Sequence, residues 1–244
     1  MTRRVVGADG CPSGWVAVAL EAGAVADVEV VTRLDEVLTR RPAAVAVDMP
    51  IGLVDGARDA DRAARRLLPG RTSSVFAAPP RCVVDAARRG ELPDHAAATA
   101  LAERTTGSGL SMQAWRLVPK MVAVDDLAAS GQAMLEVHPE VAFAVLVGES
   151  LPRKRTWAGI ATRRAVLAGV GLDLPDRFPG DEEAAPDDVV DAAVCAWVAD
   201  GAAAGQLLLS IPERTEQLDH GRPIVITARP APPVVPGPRR GREA

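Results

Sequence analysis

Two short apolar runs, Arg4-Val5-Val6-Gly7-Ala8-Asp9 and Ala43-Ala44-Val45-Ala46-Val47-Asp48, each end in an aspartate. No other feature constrains the fold as tightly. β-branched and aromatic residues favour strands, and the turn residues Gly10, Pro12, Ser13 and Gly14 after the first run lead into a second apolar stretch, Trp15–Leu20. A carboxylate at the end of a buried strand must be paired, face a solvated cleft or bind a metal. Taken alone, Asp9 is equally an Asx-turn residue. The second strand ending in the same way tips the balance toward a shared acidic site.

The order that follows is strand (to Asp9), strand (15–20), strand (25–31), short helix (34–38) and strand (43–47). Residues 58–68, 81–89 and 96–105, rich in Ala, Leu and Arg, read as helices of a cap inserted at about 53–131. A fifth strand is expected over 133–137, a helix from Pro139 or Glu140 to Val147, another at 157–169, and a long apolar helix over 188–204. A last short strand is expected at 223–227, within one domain over 1–228, and the Pro/Arg-rich stretch 229–244 reads as a disordered tail.

The candidate chemistry lies in acids and a few polar groups. Asp188 and Asp191 are three apart and share one face of a helix start, although aspartates there also serve as caps. On the fifth strand Glu136 and His138 are two apart, so the pattern puts them on one face. Together with Asp9 and Asp48 this gives carboxylates at two strand ends, at a helix start and on a fifth strand. Such a set can hold two divalent ions about 3.5–4 Å apart for phosphodiester hydrolysis. In the polar loops, Arg71, Ser74, Gln113 and Lys120 can meet a phosphate. The other basic clusters, among them Arg153, Lys154, Arg155, Arg163 and Arg164, read mainly as solvated helix faces, and Trp15, Trp115 and Trp157 as core rather than base-stacking residues.

Composition narrows the classes. Three scattered cysteines and three histidines supply neither a disulfide framework nor a zinc centre, so any metal is oxygen-bound, as Mg²⁺ or Mn²⁺ is. A net charge of −4 argues against a protein that coats long nucleic acid. No apolar run approaches the ~18–20 residues of a membrane span, and Met1-Thr2-Arg3-Arg4 leads straight into strand, so a cytoplasmic protein is expected.

The chain resembles the family of predicted RNase H-like nucleases, the domain-of-unknown-function family numbered 429. The resemblance spans roughly Val5 to Thr227. It rests on Gly7–Trp15, Val47–Leu53, Arg71–Phe76, Ser111–Trp115 with Pro119-Lys120, Glu136–Glu140 and Asp187–Ala192. It implies an RNase H-like α/β fold, a mixed five-stranded sheet flanked by helices, with a metal-bound acidic site. Ala77 stands where the family usually has proline, and Ala123 where it often has an acid; both bear on the substrate groove.

The resulting expectation is a metal-dependent nuclease. Asp9, Asp48, Glu136 and Asp191 are expected to bind Mg²⁺ or Mn²⁺, and Asp188 to complete the catalytic set. Arg71, Ser74, Gln113, Lys120 and His138 are expected to contact structured or short nucleic acid, RNA or DNA. The rival readings are an actin-like nucleotide-binding phosphotransferase, with Asp9–Gly14 as a phosphate hairpin, and a non-catalytic binding protein of the same fold.

Overall fold

The computed structural model describes residues 3–232. β1 (Arg4–Cys11), β2 (Gly14–Glu21) and β3 (Ala24–Val31) form an antiparallel meander. After α1 (Asp35–Leu38), β4 (Ala44–Val47) lies parallel to β1, with Val5 opposite Ala44 and Ala8 opposite Val47. β5, reduced to Leu135–Glu136, extends the sheet parallel to β4. The resulting mixed sheet has the order β3-β2-β1-β4-β5, consistent with the RNase H-like fold expected from the sequence. Gly14 closes the first turn at φ +147°, where an added Cβ would lie 2.2 Å from the Val31 carbonyl oxygen. Only glycine satisfies both constraints.

Strand periodicity divides the sheet into two buried faces. Val5, Val16, Val18, Leu20 and Ala46 face one core, completed by α6 (Pro139–Val147), α7 (Trp157–Gly169) and α8 (Pro186–Ala203). Val6, Ala8, Trp15, Ala17, Val45 and Val47 face the other, against α1 and the long α5 (Met112–Ala129). Between β4 and β5 the insertion also contains α2 (Asp59–Leu67), α3 (Arg81–Arg88) and α4 (His95–Thr106). Of these, α3, α4 and α5 share a small core of Val83, Ala98, Ala102, Ala114 and Val118. α2 instead packs with α6 and a two-stranded sheet of β6 (Leu209–Ile211) and β9 (Ile226–Ala228). A second ribbon pairs β7 (Leu218–Asp219) with β8 (Arg222–Pro223).

Several boundaries differ from the sequence expectation. α5 is not signalled as a helix because Pro119 sits inside it, and proline ordinarily breaks a helix interior; here the ring is exposed. The fifth strand stops at Glu136, because His138 leaves the sheet as the N-cap of α6. The single strand expected at 223–227 is split between β8 and β9. Arg229, at the start of the expected tail, is packed. Its guanidinium lies 4.3 Å from the Trp197 ring centroid and donates to the Trp197 carbonyl at 2.7 Å. Residues 233–244 of the expected tail lie outside the described residues. Among the described residues no helix is long and apolar enough to cross a membrane.

Candidate metal centre

The site is set by how closely α8 approaches β1. A Cβ on Gly7 would lie 2.0 Å from the Ala196 amide nitrogen and 2.2 Å from the Ala192 carbonyl oxygen. Glycine on the strand and alanines on the helix therefore let backbone meet backbone. Asp9 lies two residues beyond Gly7 on the same face, and Asp191 precedes Ala192 on α8. Asp48 follows β4 and keeps the parity of Ala46, while its amide continues the ladder to the Ala8 carbonyl at 2.9 Å. One oxygen from each of Asp9, Asp48 and Asp191 lies within 4.8 Å of the others. Asp9 also accepts from the Gly10 amide at 2.6 Å, which fixes its rotamer as an Asx turn would.

Bringing three carboxylates together out of bulk water is unfavourable, and their proton affinities reflect it. Burial first, then the charges of Asp48 and Asp191, hold the Asp9 carboxyl well above the usual range. Burial, opposed by Lys154 and reinforced by Asp188 and Glu140, raises Asp48 to about 6. For Asp191 burial again dominates, Lys154 opposes it and Asp48 adds to it, giving about 7. Asp191 is fully buried and its Oδ1 has no hydrogen-bond partner. A buried, unpartnered carboxylate oxygen facing two further acids fits a hard divalent cation with oxygen ligands, such as Mg²⁺ or Mn²⁺.

A cation of the chain already compensates part of this charge. Lys154 Nζ contacts Asp191 Oδ2 and lies 3.9 Å from Asp187 Oδ2, and the acids push its pKa upward despite burial. The loop carrying Lys154 is braced by two arginines. Arg71 donates to the Leu151 carbonyl at 2.7 Å, and the fully buried Arg163 donates to the Pro152 carbonyl at 2.8 Å. Arg163 also donates to Glu140 Oε1 at 2.6 Å, and Glu140 adds a fourth buried negative charge beside Asp48 and Asp191. Sequence reading placed Lys154 and Arg163 among solvated helix faces. The charge signal of the acids was visible, but the loop that delivers their counter-ion was not.

Other expected site residues are distributed differently. Glu136 is not part of the cluster. In the parallel register it stands opposite Val47, so it points to the α5 face of the sheet, away from Asp48. There it is paired with Arg58 at 2.5 Å and accepts from the Ile51 amide at 2.6 Å. His138, off the strand, does not share a strand face with it. Its Nε2 lies 3.2 Å from the Ser74 carbonyl, so Nε2 carries the proton and the unpartnered Nδ1 is an acceptor. Burial lowers its pKa and keeps the ring neutral.

Asp188 caps α8, accepting from the Ala185 amide at 3.3 Å, yet its charge still raises Asp9 and Asp48. Arg71 reaches Glu140 at 3.4 Å as well as Leu151. Ser74 contributes its carbonyl to His138, and Gln113 is exposed in the first turn of α5. Lys120 donates to the Gly14 carbonyl at 2.6 Å and lies 5.1 Å from the Trp15 ring centroid. A cleft of about 430 Å³ opens beside it, lined in part by Trp15, Pro119 and Ala123. Trp15 is buried as expected, but Trp157 is 91 % exposed and is no core residue.

A second group, Asp125, Asp219 and His220, also brings three potential ligands together. Its charge is already met. Arg81 bridges Asp125 and Asp219, Arg88 adds a second guanidinium, and against its burial Asp125 is held at about 2 by Arg81, then His220 and Arg88. Asp219 additionally accepts from the Leu53 amide at 2.9 Å. This network ties the β7–β8 ribbon to the cap.

The family model described as "Protein of unknown function (DUF429)" matches residues 7–217, so the chain belongs to that family. No curated protein and no solved structure matches it.

Proposed function

We propose that this member of the family is a divalent-metal-dependent phosphodiesterase that hydrolyses nucleic acid. The convergence of Asp9, Asp48 and Asp191 from two strand ends and a helix carries the reading. In it, these three residues hold Mg²⁺ or Mn²⁺ and Glu136 does not. Divalent cations at such a site supply Lewis-acid polarisation of the phosphoryl group and a nucleophile at neutral pH.

The remaining residues have roles that follow from their placement. Gly7, through the close approach of α8, sets the separation of the three acids. Lys154 balances them before a cation enters. Its side chain is 30 % exposed, which leaves it room to turn from Asp191 toward a substrate phosphate. Asp188 adds negative charge at the rim while capping α8. His138, neutral, offers a proton acceptor at Nδ1.

The test is calorimetric titration of Mn²⁺ into chelator-stripped protein, with Asp9→Asn in parallel. Binding in the micromolar-to-millimolar range that Asp9→Asn abolishes is the expected result. Absence of binding to the native protein, or binding that Asp9→Asn leaves intact, overturns the metal centre. Protection from thermal unfolding by ATP–Mg²⁺ but not by oligonucleotides turns the assignment toward a nucleotide-binding phosphotransferase.

A further inference from the structure

Trp157 is the most exposed large apolar side chain among the described residues, at 91 %. Leaving an indole in water forgoes the burial that makes tryptophan so frequent in cores and interfaces. Local disorder does not account for it. Trp157 opens α7, and Thr156 caps that helix by accepting from the Gly159 amide at 3.0 Å. Thr156 also donates to the Arg153 carbonyl at 2.8 Å, and Arg71 and Arg163 clamp the preceding residues. Gly159 makes this fold-back possible, since a Cβ there would lie 1.9 Å from the Arg153 carbonyl oxygen. The indole is thus displayed on a rigid mount.

Its surroundings are cationic, not apolar. Arg153 and Arg155 are exposed, and Arg155 makes only a 3.4 Å contact with Asp187, its side chain remaining 87 % accessible. Lys154, between them, reaches the acid cluster. Three residues of chain span at most about 10 Å. Because Lys154 reaches Asp191 through its side chain, Trp157 is carried on the same short segment that borders the acids. An exposed aromatic flanked by guanidiniums is the combination that stacks unpaired bases while phosphates meet the cations.

We propose that Trp157 is a stacking platform for an unpaired base next to the cleavage site, with Arg153 and Arg155 on the adjoining phosphates. The substrate class is accordingly nucleic acid with a single-stranded segment. This rests on the nuclease reading above and specifies its substrate. A protein partner is disfavoured because the exposed neighbours of Trp157 are charged, polar or small: Arg153, Arg155, Thr156 and Ala158.

The experiment measures anisotropy of a labelled oligothymidylate and of a hairpin duplex with wild type, Trp157→Ala and Trp157→Phe, in chelator so that nothing is cleaved. Trp157→Ala should weaken single-strand binding about 5- to 150-fold, the equivalent of ~1–3 kcal/mol for one stacked base. Trp157→Phe should restore much of it, duplex binding should change little, and the melting temperature should stay at the wild-type value. Equal single-strand affinity of Trp157→Ala and wild type overturns the platform. So does a wild-type protein that binds Mn²⁺ but no single strand, an outcome that leaves the metal centre standing. Self-association in sedimentation that Trp157→Ala abolishes, without effect on oligonucleotide binding, assigns the indole to a second copy instead.

Discussion

Replacing Asp48 by asparagine should stabilise the metal-free protein, although the residue belongs to the proposed centre. An aspartate in the unfolded chain titrates near 3.9, and in the folded protein burial raises Asp48 to about 6. Between these values the native state binds more protons than the unfolded one, so stability falls as pH rises through this window and stays low above it. The gap of roughly two pKa units corresponds to about 3 kcal/mol at pH 7.5. Asp48 keeps partial contact with solvent, which screens the charge and reduces the figure to about 2–3 kcal/mol.

Asparagine preserves the shape and removes that cost. At about 2–4 °C per kcal/mol for a chain of this size, Asp48→Asn should melt about 5–10 °C above wild type at pH 7.5 in chelator. The difference should shrink below about 1 kcal/mol near pH 4, where the folded carboxyl is protonated and the unfolded one is about half so. Saturating Mn²⁺ should reverse the trend. At a hundredfold excess over its dissociation constant, a ligand bound only by the native state adds about 2.7 kcal/mol, and the variant should gain little of this. Differential scanning fluorimetry across pH 4–8, with and without Mn²⁺, reads all of these effects. A variant that melts at or below wild type at pH 7.5 in chelator would refute the reasoning, and would mean that Lys154 fully compensates the three acids.

Two further substitutions test the framework. Gly7→Ala puts a methyl 2.0 Å from the Ala196 backbone and should cost about 3 kcal/mol or more by forcing α8 off the sheet. Because α8 carries Asp191, Mn²⁺ affinity should fall too, and a variant with wild-type melting and metal binding contradicts the close-packing account. Arg58→Met leaves Glu136 and Asp61 buried without their shared guanidinium and should destabilise by about 3–5 kcal/mol in chemical denaturation. Adding Glu136→Leu should recover a good part of that loss; strictly additive losses would show that the pair is not coupled.

Much of the architecture was legible because it is locally encoded. Short apolar runs bounded by turn residues mark β1 and β2, and apolar repeats mark α7 and α8, whose observed limits depart little from the expectation. α5 was obscured by Pro119, since the cost of proline depends on surroundings that sequence does not display. Glu136 shows how narrow the margin is for a site residue. Its position on a fifth strand was foreseen, but one residue of register decides which face of the sheet it serves. Lys154, in a loop, carries no local signal of its role because its partner Asp191 is 37 residues away on α8.

The sequence alone determined the meander of strands and the aspartates near the ends of β1 and β4. It also marked an acid-bearing helix available to join them, because strand and helix periods are written in neighbouring residues. Tertiary structure decided which acids meet, which cation compensates them and which tryptophan is left in water. Each of these depends on a pairing across the fold. A buried charge is tolerated only where a distant residue arrives to balance it, and no local pattern records that arrival.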